Sequence, residues 1–314
     1  MKMLPLKKLF TAVAIAGAVM SAPETYAGAL INSLFSPGQN QIEDLNLDRV
    51  LRYSGTGDTH NVANYSIVTT GAFKNGDILQ AILRFTGASN PASGPVTIGD
   101  ELPSPYALYA YSELKIDGPV DGAGNLIGRD ISGDLVADVY DVSFTSGNIF
   151  SAADVLVELY ERTTGAAFNP FGNAVNPDDA VNYIRNSTDT NLIATFGKVE
   201  ADDFWSGTVP LTIDTLKNAV QGSPQAGAAV FGLSIIDNAG NLPIEKNAIQ
   251  SGTFGTYHDV VGNVSAYQRG AGNNGWIFST NTTVDFVTVP EPNALALLGV
   301  AVLLGGIAQR RRSV

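Results

Sequence analysis

The stretch Leu79-Gln80-Ala81-Ile82-Leu83-Arg84-Phe85 alternates in the manner of a β-strand, with residues 79, 81, 83 and 85 presenting apolar groups on one face. The same period recurs on either side of it. Leu135 to Phe144 sets Val136, Tyr140, Val142 and Phe144 on one side. Ala228 to Ile236 is a continuous apolar run, the pattern of a strand buried on both faces. Val260 to Tyr267 and Trp276 to Val287 read as paired strands across the turn-rich Gly270 to Gly275. Asn75-Gly76, Asp117-Gly118, Asp121-Gly122 and Ala239-Gly240-Asn241 punctuate the runs.

Helical signals are few. Asn176-Pro177-Asp178-Asp179 offers an N-cap, a proline at the first helical position and an acidic first turn, predicting a helix to about Arg185. Asp214 to Val220 predicts a second, shorter one. Ser151 to Arg162 fits either element, and its strand neighbours favour strand. The sum is a mainly β protein, an antiparallel β-sandwich with a few short helices.

The chain has 314 residues, of which 45% are hydrophobic and 15% charged, with 33 Gly and 15 Pro. That balance supports a sizeable core and many turns. There is no Cys, which removes thiol nucleophiles and Cys-based zinc or iron–sulfur sites. The net charge is −12, and the body is more acidic still, because Lys2, Lys7, Lys8 and Arg310 to Arg312 sit in the tails. Such a surface repels phosphate backbones, so nucleic acid is not an expected partner.

The two ends differ from the body. Lys2, Lys7 and Lys8 precede the short apolar run Leu9 to Val19, and small residues near Ala27 follow, the order of a signal peptide. At the other end, Val289-Pro290-Glu291-Pro292 leads into the apolar run Ala294 to Ala308, closed by Arg310-Arg311-Arg312. Two prolines hold an extended segment open to a processing enzyme. The run is near the short limit of a spanning helix, and the arginines favour the cytoplasmic side.

This three-part tail resembles the PEP-CTERM sorting signal. The resemblance implies that Pro290, Glu291 and Pro292 are the recognition motif and Arg310, Arg311 and Arg312 the stop signal. It implies an exported protein held in the inner membrane of Gram-negative bacteria until an exosortase processes it, and then left at the cell surface or in the extracellular matrix. It also implies an association with exopolysaccharide, biofilm or floc formation. The resemblance covers the tail alone, and sorting tags sit on unrelated domains. The chain therefore divides into a signal peptide at 1–27, a mainly β body at 28–289 with a sub-boundary near 165–190, and a sorting signal at 290–314 with its transmembrane helix at 294–308.

Within the body, Gly270-Ala271-Gly272-Asn273-Asn274-Gly275 spells GxGxxG, but a strand follows where a dinucleotide site needs a helix, so it reads as a hairpin loop. Asp117, Asp121, Asn125 and Asp130 lie on a glycine-rich loop that also holds Asp134, and their oxygens suit calcium. The EF-hand template fails there at Pro119, and Asp and Gly are ordinary turn residues. Only His60 and His258 are available as imidazoles, and Gly232-Leu233-Ser234-Ile235-Ile236 lacks the last glycine of a nucleophile elbow. Glu158, Glu161, Asp202 and Asp203 are carboxylates from which no hydrolytic pair stands out. Trp205, Trp276 and Tyr257 are candidates to stack sugars, against the more ordinary role of core aromatics. The expectation is a non-enzymatic matrix protein without a cofactor, calcium being the candidate ion. A polysaccharide-binding module is the alternative, and an extracellular hydrolase a third.

Overall fold

A computed structural model describes residues 38–90, 94–97, 107–162, 170–171, 175–220, 223, 226–267 and 275–289. The signal peptide and the sorting tail expected at 1–27 and 290–314 lie outside these residues.

The strands, in chain order, are β1 (Gly38–Tyr53), β2 (Tyr65–Ile67), β3 (Ile78–Asn90), β4 (Gly94–Thr97) and β5 (Ala107–Asp117). There follow β6 (Gly128–Arg129), β7 (Val139–Ser146), β8 (Val155–Arg162), β9 (Thr190–Gly197) and β10 (Phe204–Pro210). The last are β11 (Ala228–Asp237), β12 (Ile249–Gln250), β13 (Tyr257–His258), β14 (Val260–Tyr267) and β15 (Ser279–Thr288). Two α-helices are described, α1 (Pro177–Asn186) and α2 (Ile213–Lys217), besides one 3-10 turn at Val62–Asn64. The protein is mainly β and antiparallel with few helices, as the alternation predicts.

The pairing differs from a sandwich. β5 pairs β7 through Leu114–Asp117 and β8 through Ala107–Ser112, along one edge. β7 and β8 thus act as one strand interrupted at 147–154. β9 and β10 form a second such strand, antiparallel to the first and interrupted at 198–203. With each interrupted strand counted once, chain-order neighbours pair throughout: β1, β3, β5, β7–β8, β9–β10, β11, β14, β15. β15 then pairs back onto β1, Gly38↔Thr288 to Glu43↔Thr283. The sheet closes into an eight-stranded up-and-down barrel with no open edge between its first and last strands. The expected two-sheet sandwich is corrected accordingly. Alternation of apolar residues is common to both architectures, and only the β1–β15 ladder tells them apart.

The faces follow the sequence period. Leu79, Ala81, Leu83 and Phe85 point into the barrel and join its core. Leu135 to Phe144 begins later than predicted, at Val139, because Leu135 takes a left-handed backbone (φ 70°) and stands exposed in a turn. Ser151 to Arg162 resolves into the strand β8.

Outward residues of one wall are also buried, because α1 lies across them. Ala180, Val181 and Ile184 pack on Leu47, Ile82, Tyr109, Tyr111 and Tyr160. Burying Ile184 alone is worth about 1.5–3 kcal/mol. Asn176 caps α1 as predicted, its side chain accepting the Asp178 N–H at 2.8 Å. Charge pairs hold both ends of α1 to the barrel. Arg49 on β1 reaches Asp178 at 2.7 Å, and Arg185 reaches Glu158 on β8 at 2.8 Å.

Candidate functional site

Inside the ring of strands lies a cavity of 140 Å³. Its walls are apolar side chains from every barrel strand, among them Leu83, Leu114, Phe144, Trp205, Phe231 and Val264. Phe73, Leu216 and Ala226 line it from connections at one end, and Leu242 and Ile244 from the connection after β11 at the other. Inward alanines such as Ala81, Ala229 and Ala266 leave room that larger residues would fill.

Polar groups interrupt this lining mainly at one seam, where β1 meets β15. Asn46 donates to Thr280 at 2.6 Å and to Thr282 at 3.0 Å, and Thr280 donates to Asp48 at 3.1 Å. Two further polar groups are buried without a hydrogen-bond partner. Trp205 lines the cavity, stacked 4.6 Å from Phe231 and edge-on to Phe144, and its indole N–H has no acceptor. Glu161 on β8 stands opposite Leu108, a lining residue, and therefore shares its inward face. It is 1% exposed, neither carboxylate oxygen is hydrogen-bonded, and burial pushes its carboxyl above the usual carboxylate range.

Outside the barrel, further buried polar side chains, some of them candidates from the sequence, are committed to other work. Tyr111 donates to Glu113, whose carboxylate also accepts the Ile149 N–H at 2.9 Å and so pins the excursion 147–154. Glu158 accepts from Tyr160 at 2.6 Å besides its pair with Arg185. Burial and the neighbouring Glu158 carboxylate push the Tyr160 hydroxyl well above its ordinary range.

His258 is fully buried on β13. Its Nδ1 lies 3.2 Å from Asp203, and its Nε2 is 2.7 Å from the Thr256 hydroxyl. Ser234 donates to the same Asp203 oxygen at 3.0 Å. Ser, His and Asp do meet, but the carboxylate stands between the other two, so the imidazole is not placed to take the serine proton. Asp203 also accepts the N–H groups of Val199 and Glu200, closing the turn that interrupts the β9–β10 strand. Asp259, beside His258, is spent on the N–H groups of Ile235 and Asn247. His60 lies apart and exposed, bonded to the Asn148 carbonyl at 2.7 Å.

The acidic loop folds on its own carboxylates. Asp121 accepts the N–H groups of Ala123 and Asn125, both at 2.9 Å, with the Asn125 amide beside it. Asp130 accepts those of Gly133 and Leu135 at 2.7 Å. Asp117 ends β5, where its carbonyl accepts from Ser143. Asp121 and Asn125 come together, whereas Asp117 and Asp130 belong to separate turns. Among the described residues, no three His, Asp or Glu side chains group as a metal site would require. Trp205 and Trp276 are 5% and 1% exposed, in the barrel core and beneath α1 respectively, and only Tyr257 stands at the surface.

The cavity is what sequence reasoning missed. The available signal was the set of small inward residues at strand-like spacing, Ala81, Ala229 and Ala266. It means something only once the barrel is known to close.

A family model described as the PEP-CTERM protein-sorting motif matches residues 288–312. The C-terminal tail is thus a PEP-CTERM sorting signal, which implies an exported protein, anchored transiently in the membrane and cleaved by an exosortase. Neither the curated proteins nor the solved structures contain a match to the chain.

Proposed function

We propose that this is a non-enzymatic protein of the cell surface or exopolysaccharide matrix, delivered there by exosortase processing. The observation that carries the reading is the junction of barrel and tag. The last barrel strand ends at Thr288, and the motif Pro290-Glu291-Pro292 begins two residues later. The first strand begins at Gly38, eleven residues after the expected end of the signal peptide at Ala27. Cuts at both ends leave every strand of the ring in place, so the barrel is the released product.

A role in the matrix without catalysis fits the engaged state of Glu113, Glu158, Asp203 and Asp259, each holding backbone, tyrosine or arginine partners. A polysaccharide-binding module built on tryptophan stacking loses its support, because both tryptophans face inward or lie under α1. Matrix association then rests on the acidic outer surface and its loops.

Replacing Pro290, Glu291 and Pro292 together by alanine tests the reading in the producing cell. The native chain should appear outside the cell, shortened by its tail. The variant should stay uncut in the membrane fraction. Release of the variant in the same shortened form would contradict the proposal.

A further inference from the structure

We infer that the barrel interior binds a small, neutral, largely apolar molecule that carries one hydrogen-bond acceptor. Size comes from the cavity. At 140 Å³ it matches a space that takes a single six-membered ring of about six or seven non-hydrogen atoms. Most of its walls are apolar, so a water molecule there would find few hydrogen-bond partners and compete weakly. The walls also cannot collapse inward cheaply, because each strand is held by ladders on both edges around the closed ring.

Polarity comes from three groups. The seam of Asn46, Asp48, Thr280 and Thr282 is bonded within itself and asks little of a ligand. The Trp205 N–H is a buried donor without an acceptor on a lining side chain, which a carbonyl, ether or hydroxyl oxygen would satisfy. No Lys or Arg lines the cavity, and Glu161 on the same inner face adds a buried acid, so an anionic ligand would be repelled and left without a counter-charge. The class that remains is a cyclic or short-chain ketone, ether or alcohol.

Cyclohexanone and methylcyclohexane share size and shape and differ in the acceptor, and cyclohexanecarboxylate supplies the anion. The chain has two tryptophans, so its indole N–H region holds two NMR signals, assigned with Trp205→Phe. Titrating the purified full chain with cyclohexanone should move the Trp205 signal saturably and leave that of Trp276 in place. Methylcyclohexane should bind about tenfold more weakly, and the carboxylate not at all. Trp205→Phe should erase the preference for the ketone. Ala81→Phe, which fills the cavity, should abolish binding of both neutral probes. The absence of a saturable Trp205 shift would overturn the inference. So would binding that survives Ala81→Phe in a chain that still melts cooperatively, since that would place the probe on the outer surface. Should Ala81→Phe fail to fold, the Trp205 shift in the native chain and its carboxylate control still decide the matter.

Discussion

The imidazole of His258 occupies the space that a side chain on Gly232 would need: a Cβ built there would lie 2.4 Å from His258 Cδ2. β11 therefore carries glycine at this position so that the buried ring can reach Asp203. Gly232→Ala should destabilise the protein by about 1–3 kcal/mol through overpacking. Asp203→Ala should cost at least as much, because it strands the N–H groups of Val199 and Glu200 as well as Ser234. Urea unfolding followed by tryptophan fluorescence measures both. A Gly232→Ala protein as stable as the native chain would mean that the ring does not lie where the fold puts it.

Glu161 makes stability depend on pH in the less usual direction. Its folded carboxyl titrates above the unfolded value, so the folded state binds the proton more tightly. That contribution is fully present below the unfolded glutamate pKa of about 4.3 and is lost as pH rises through the folded value. Leu108 and Asn191, its partners across the sheet, supply no opposing charge. Glu161→Gln should raise the melting temperature at pH 7 by a few degrees and change it little near pH 3.5. An equal gain at both pH values would show that the ionised carboxylate is not what costs stability.

The acidic loop behaves oppositely. Backbone N–H groups, those of Asn125, Gly133 and Ile131 foremost, hold the carboxyls of Asp121, Asp130 and Asp138 below the usual range. Their ordering effect is present above about pH 4 and is lost as pH falls through the folded values. Hydrogen exchange across 121–138 should accelerate at pH 3, beyond the intrinsic change, before the barrel strands open. Because the same oxygens already serve these turns, a calcium chelator should leave loop exchange at pH 7 unchanged. Slower exchange on adding calcium would revive the ion site at Asp117, Asp121, Asn125 and Asp130.

Arg185 neutralises a buried acid from the far end of α1. Removing it leaves Glu158 beneath the helix with Tyr160 as its remaining hydrogen-bond partner. Arg185→Leu should cost about 3–5 kcal/mol, and Arg185→Leu with Glu158→Leu should recover part of it. A double variant no more stable than the single one would remove the buried charge as the cause.

Much of the fold was legible locally. The period of 79–85 gave the inward face, Asn176-Pro177 gave the start of α1, and the glycine-rich 270–275 marked the connection between paired strands. Closure was not legible, because Gln41 bonds Asp285 across 244 residues and neither segment announces the other. Nor was the burial of Gln80, Arg49 and Glu113. Polar residues on strands give no local sign of burial, and contacts with α1, Trp276 and the excursion 147–154 enclose these three. The site suffered most: a cavity belongs to eight strands at once, and no single segment carries its signature. The sorting tail is the opposite case, complete within about 25 contiguous residues and read from them directly.

The most direct measurement is co-sedimentation of the mature protein with the producing organism's own exopolysaccharide. Saturable pelleting with the polysaccharide, none without it, and no turnover of the polysaccharide over the same period are the expected results. Failure to pellet, or shortening of the polysaccharide chains, would contradict a non-enzymatic role in the matrix.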